Sequence, residues 1–226
     1  MDLSDLQKKV LKAYVQIGYG MAVIGFAYPI LVYIAGRVDH QPLLGSISDY
    51  YWAGNLTART WFVGGLFALA ALLYLFKGFS QREDVALNLA ALFALGVAVF
   101  PPCQASCGWI TPHGVCAVSL FACLVFVVWF CAGDTLKFLP DAKQASNYKA
   151  IYKALGLVMA ATPVAATILN VALGGNHSYI FFIECAGIWA FALFWWVKTS
   201  ELRSSEAVKK AIEGHMAMAV PAAPVT

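Results

Sequence analysis

Six apolar stretches alternate along this chain with polar connections of two kinds. They run from Ala13 to Gly36, Thr60 to Gly78, Val85 to Phe100, His113 to Ala132, Ile151 to Leu173 and Ser178 to Val197. Most approach the roughly 20 residues that an α-helix needs to cross the hydrocarbon of a bilayer. The third is short and takes in part of the following loop. The fifth contains Pro163, a kink that a membrane helix tolerates when neighbours satisfy the freed carbonyl. The pattern predicts an all-α integral membrane bundle of six transmembrane helices.

Charge sets the orientation. Lys8, Lys9 and Lys12 precede the first span, Lys77 and Arg82 join the second to the third, and Lys137, Lys143, Lys149 and Lys153 join the fourth to the fifth. Lys198, Arg203, Lys209 and Lys210 follow the sixth, whereas the other connections hold only Arg37 and Arg59. The positive-inside bias therefore predicts that both termini are cytoplasmic in a multi-pass membrane protein. Composition agrees, because 12% charged residues against 61% hydrophobic ones is about half the charged share of a soluble domain. A net charge of +3 spread over inner loops fits contact with membrane lipids and predicts no nucleic-acid partner. The first span exceeds the roughly 7 to 15 residue apolar core of a cleavable signal peptide, so it is expected to stay in the mature protein.

No linker divides the chain, which predicts one membrane domain over residues 1–215 and a disordered tail over 216–226. Arg203 to His215 is expected to continue the last helix with a weakly apolar face. Ala86, Ala90, Ala94 and Ala98 recur every fourth position, which lets neighbouring helices approach closely and predicts a central place for the third span. The connection from Arg37 to Arg59 is polar, aromatic and too long for a simple turn, as functional loops often are. Its aromatics Tyr50, Tyr51 and Trp52, with Trp61 just beyond, suit either headgroup anchoring or ligand binding. No half-chain duplication of the kind found in secondary transporters is visible.

Glu184 is the clearest ionisable residue within a span. It lies about six residues, roughly 9 Å, below the outer end of the sixth. A carboxyl group at that depth is costly unless it faces the bundle interior with partners, which makes it a functional candidate. His113 opens the fourth span on the same side, and Asn170 with Thr167 and Ala166 forms a strip near the outer end of the fifth. Antiparallel helices bring these ends and the first outer loop together around one outward-opening cavity. The inner halves of the spans carry few polar groups, chiefly Asn88 and Asp134, so no continuous hydrophilic path is expected. Cys116, Cys123, Cys131 and Cys185 fall within spans as small apolar residues. Cys103 and Cys107 sit in an outer loop, where a disulfide, free thiols or a soft-metal site with His113 are all open. No haem pair, Schiff-base lysine within a span, phosphate loop, His-Glu-x-x-His or Gly-x-Ser-x-Gly occurs. No metal and no cofactor is predicted.

The stretch Ser46-Ile47-Ser48-Asp49-Tyr50-Tyr51, then Arg59, Phe62-Val63-Gly64-Gly65-Leu66-Phe67 and Tyr74-Leu75-Phe76-Lys77-Gly78, resembles a family of small uncharacterised bacterial multispan membrane proteins. Its members read Ser-Ile-Ser-x-Tyr-Tyr, Arg, Phe-Val-Gly and Tyr-Lys-Gly in that order. The resemblance continues through Phe100-Pro101, His113, Ile151-Tyr152, Glu184 and Trp196-Val197-Lys198. It implies a shared fold, shared site residues and a place in a bacterial inner membrane, but no established activity. The segment from Cys103 to Gly108 departs from the pattern, which argues against a family-wide metal role for its thiols. A looser, fold-level likeness to the alkaline ceramidases and adiponectin-receptor-like proteins lacks their three-histidine zinc set.

These features predict an outward-facing pocket for a lipid-like or small amphipathic ligand. Ser46, Ser48, Tyr50, Tyr51 and Arg59 would form its polar lid, Asn170 would contribute from the fifth span, and His113 and Glu184 would lie on its floor. Were it an enzyme, His113 or Glu184 would act as general base in hydrolysis of a lipid ester or amide, with Arg59 holding an anionic headgroup. A proton-coupled transporter or channel relaying charge through Glu184 is the first alternative, and a non-catalytic membrane assembly subunit the second.

Overall fold

The computed structural model describes residues 3–53, 56–103, 110–173 and 178–205. Among these there is no strand, and six long helices dominate: α1 (Leu3–Val38), α2 (Thr57–Leu75), α3 (Gln81–Val99), α4 (Pro112–Phe126), α5 (Ala142–Leu173) and α6 (Ser178–Ser205). The anticipated tail, His177, His215 and Cys107 lie outside the described residues. So do residues 206–215, the far part of the expected extension of the last helix.

Local chemistry explains most helix ends. Ser80 Oγ accepts from Glu83 N at 3.4 Å at the start of α3, and Glu83 and Asp84 favour the positive end of the helix dipole. Thr111 does the same for α4, accepting from Gly114 N at 3.1 Å ahead of Pro112. α1 ends in a reversal in which His40 N donates to Arg37 O and Gln41 N to Gly36 O. His40 takes the left-handed position there, with φ of 58°, where glycine is usual.

Each helix packs on the next in chain order, and α6 returns to α1, so the bundle is a closed ring. The expectation of a central α3 is therefore corrected: it sits between α2 and α4 like any other member of the ring. Its alanine stripe is nonetheless buried at all four positions, since small side chains let the neighbouring backbones close in. Gly36 and Gly65 work similarly, because a Cβ at either would collide with the rings of Tyr50 and Tyr28 respectively.

α1, α2, α5, α6 and the helical stretch that begins with α4 are long and apolar enough to cross a membrane. α3 falls outside that set because its first turn carries Arg82, Glu83 and Asp84. Large apolar side chains such as Ile34, Phe67, Leu92, Phe130, Leu157 and Phe182 point outward and are exposed. An apolar exterior on this scale suits lipid as the surrounding medium. The chain reads as a multi-pass membrane protein. Lys77, Arg82, Lys137, Lys143 and Arg203 gather at one end of the ring, the basic end, and the 39–53 loop covers the other, the loop end.

Candidate functional site

Beneath the 39–53 loop lies a cavity of about 540 Å³, within the usual range of small-molecule sites. Most of its polar lining lies at the loop end, with Ser46, Ser48, Asp49, His113 and Glu184, while the hydroxyls of Tyr28, Thr162 and Thr167, also in the lining, donate to the backbone carbonyls of Phe62, Val158 and Pro163. Below the loop end the wall is largely apolar, with Leu66, Leu69 and Leu73 of α2, Leu120 and Leu124 of α4, and Ile188 and Phe191 of α6. Val118 on α4 and Thr167 on α5 line the cavity and are also exposed. The wall is thus incomplete between these two helices, on the side that faces lipid.

The turn Ser46-Ile47-Ser48 is clasped from both sides. From α6, Glu184 accepts from Ser46 Oγ at 3.0 Å to each carboxylate oxygen and from Ile47 N at 2.7 Å. From α4, His113 Nε2 lies 3.0 Å from Ser48 Oγ, and its Nδ1 lies 2.9 Å from Phe100 O. A carbonyl oxygen only accepts, so Nδ1 carries the proton and Nε2 of the neutral ring accepts from the serine hydroxyl. Ser48 N donates to Ser46 Oγ at 2.9 Å and links the two halves of the network. Asp49 Oδ2 accepts from Ser46 N at 3.0 Å. Burial pushes the Asp49 carboxyl above its ordinary range, and the hydrogen bond from Ser46 N partly offsets that.

Further contacts hold the loop against the bundle. Phe181 N donates to Gly45 O at 2.8 Å, Trp52 Nε1 to Pro102 O at 2.9 Å, and Ala58 N to Asp39 Oδ2 at 3.0 Å. Tyr50 is fully buried and accepts from Leu44 N through its hydroxyl. Burial raises its phenol above the ordinary value.

No family model, curated protein or solved structure matches this chain. Its site must be read from its own geometry.

Of the residues singled out in sequence, the structure brings Ser46, Ser48, His113 and Glu184 to the cavity. Tyr50, Tyr51 and Arg59 are not among its lining residues. Arg59 instead donates to Tyr51 Oη at 2.7 Å and lies 4.2 Å over that ring. Asn170 belongs to α5, but its side chain is outside what the structure describes. Cys103 lines the cavity and is disulfide-bonded, so its sulfur is not a thiolate ligand. Among the described residues no three His, Cys, Asp or Glu side chains are grouped to hold a metal ion.

The basic end corrects the sequence reading. Lys198, taken as an orienting charge beyond the last span, is 1% exposed, and Glu201 is 0% exposed. They pair at 2.7 Å, and Lys198 Nζ also donates to Ala132 O at 2.8 Å and to Thr135 Oγ1. Thr135 Oγ1 and Tyr152 Oη donate to Glu201 Oε2 at 2.9 and 3.3 Å. The physical reason is twofold. Lys198 falls on the face of α6 that buries Trp195, Glu201 and Leu202, and after Phe126 the chain passes through a π turn (Val127–Cys131) into a 3₁₀ helix (Ala132–Phe138). That irregular segment presents a backbone carbonyl to the lysine. The available signal was the i, i+3 spacing of Lys198 and Glu201, with Leu202 extending the apolar face.

Proposed function

We propose that this is a six-span inner-membrane protein, both termini cytoplasmic, whose outward-facing cavity binds a single-chain amphipathic ligand of lipid character. The observation that carries the reading is the division of the cavity: every ionisable carboxyl and imidazole in its lining is at the loop end, and the wall below is largely apolar, its hydroxyls on Tyr28, Thr162 and Thr167 being engaged by backbone carbonyls. Between Phe62 and Leu73 on α2 that wall extends about 16 Å at 1.5 Å per residue, room for an acyl chain of medium length. The sideways gap between α4 and α5 is the entry route for a ligand already dissolved in the bilayer.

The headgroup is uncharged or cationic. Asp49 and Glu184 line the polar end, and neither Arg37 nor Arg59 does. An anionic headgroup held by Arg59, as the sequence alone suggested, would have to draw that side chain off Tyr51. The buried Lys198–Glu201 pair is the feature that speaks for the transporter alternative. It lies about 10 Å beyond Phe191 along α6, with the buried Phe194 and Trp195 between.

The test is titration of the purified chain with a fluorescent dodecanoyl glycerol. Saturable binding is expected, and Ala117→Phe, which fills the cavity, should weaken it about 10-fold or more. Unchanged binding in the filled variant would refute the reading. For orientation, a cysteine placed at Thr60 should react with an impermeant thiol reagent in intact cells and one at Ala142 should not, the reverse result inverting the topology.

A further inference from the structure

Resting on that cavity, we infer that Ser48 is a nucleophile, with His113 as its general base, and that the ligand is an acyl ester whose acyl group Ser48 accepts. Ser48 lines the polar end of the cavity, and its Oγ lies 3.0 Å from His113 Nε2. The far ring nitrogen is fixed by Phe100 O at 2.9 Å, which sets the tautomer that leaves Nε2 free to accept. A nucleophile, a base within hydrogen-bond reach and a group that orients the base are the three parts a serine acyl-transfer site needs. The ring has little freedom to leave this geometry: His113 is 7% exposed and stacks on Phe62, with ring centroids 6.5 Å apart. Ser46, only two residues away, bonds to Glu184 instead, so the two serines of the turn are not equivalent.

The chemistry balances without a cofactor. Ser48 Oγ attacks the ester carbonyl while its proton passes to His113 Nε2. Collapse breaks the bond to the alcohol, which takes that proton and departs, leaving the acyl group on Ser48. Water then attacks the acyl-serine, giving its proton to His113 and releasing a carboxylic acid as the proton returns to Ser48. The N–H groups of Ser46, Ile47 and Ser48 are already engaged by Asp49, Glu184 and Ser46. Few donors are left for the oxyanion, and turnover is correspondingly slow. A single covalent event is therefore the more sensitive readout.

The experiment treats the full chain in detergent with a dodecyl fluorophosphonate and locates the adduct by peptide mass spectrometry. One adduct per chain on Ser48 is expected, absent in Ser48→Ala and present at the native rate in Ser204→Ala at the opposite end. His113→Ala should label about 100-fold more slowly, and added imidazole should restore part of the rate, which a purely structural role would not allow. Locating the adduct on the native chain does not depend on how any variant folds. Saturable binding of the fluorescent dodecanoyl glycerol with no adduct, or an adduct on another serine, overturns the nucleophile and leaves the cavity reading standing. Loss of both binding and labelling overturns the two together.

Discussion

Ser46 Oγ stands 3.0 Å from both carboxylate oxygens of Glu184, although 138 residues separate them in the chain. A residue within α6 thereby holds a turn of the 39–53 loop, and the same carboxylate also takes Ile47 N. Hydrogen bonds to a charged acceptor are worth about 1.5–3 kcal/mol each.

Replacing Glu184 separates geometry from charge. Glu184→Gln keeps an acceptor for Ile47 N, so it should fold and protect the loop from protease nearly as well as the native chain. Glu184→Leu leaves Ile47 N and Ser46 without an acceptor and should cost about 2–4 kcal/mol. Thermal melts together with limited proteolysis within residues 39–53 check both. Equal protection in the two variants would mean that the carboxylate does not hold the turn.

At the other end, Lys198 and Glu201 should show strong coupling. Lys198→Met leaves a buried carboxylate among hydroxyl donors, and Glu201→Gln leaves a buried ammonium, each at about 3–5 kcal/mol. The double variant should cost much less than the sum, because no unpaired charge remains. A double-mutant cycle on the thermal unfolding of the four proteins reads this directly, and additivity would contradict the geometry.

The apolar bodies of the helices were legible because hydrocarbon demands a long apolar run. Their ends were not. α1 begins ten residues before Ala13, at Leu3, and α3 takes in the charged turn from Gln81, since helix propensity and caps continue past the apolar core. The Lys198 cluster was hidden because its partners Ala132 O and Thr135 come from an irregular segment more than 60 residues away in the chain. Ser46, Ser48, His113 and Glu184 could be picked out as polar groups near one membrane face. Tyr50, Tyr51 and Arg59 stood out for the same reason, yet residue type does not give direction, and these side chains pack on Gly36, Phe62 and one another.

Asp49 gives the loop a pH signature. Its carboxyl is raised by burial, so the folded state binds the proton more tightly than the unfolded chain does. That contribution to stability is complete below the ordinary carboxylate value of about 3.9 and is lost as pH rises through the raised folded value. Asp49→Asn stays neutral and still accepts from Ser46 N. Its thermal midpoint should gain on that of the native chain as pH rises above about 4, then hold a constant lead once Asp49 is ionised. A pH series of melts checks the sign, and a lead that appears only on acidification would contradict it.

Asp39 and His40 are neighbours that should respond in opposite directions. α2 has no cap from its own Leu56. The 5% exposed Asp39 supplies one from across the loop by accepting from Ala58 N. Asp39→Ala strands that N–H and should cost about 1–2 kcal/mol. His40 makes no comparable contribution, and its φ of 58° is a conformation that a residue with a Cβ adopts at a cost of about 1–2 kcal/mol. Glycine removes that strain but loses more chain entropy on folding, by about 0.5–1 kcal/mol. The net expectation for His40→Gly is a gain of roughly 0.5–1 kcal/mol, with ligand affinity unchanged because His40 lies outside the cavity lining. Thermal midpoints of the two variants, measured in one detergent beside the native chain, should fall on either side of it. A destabilised His40→Gly would mean that the imidazole makes contacts that outweigh the backbone strain.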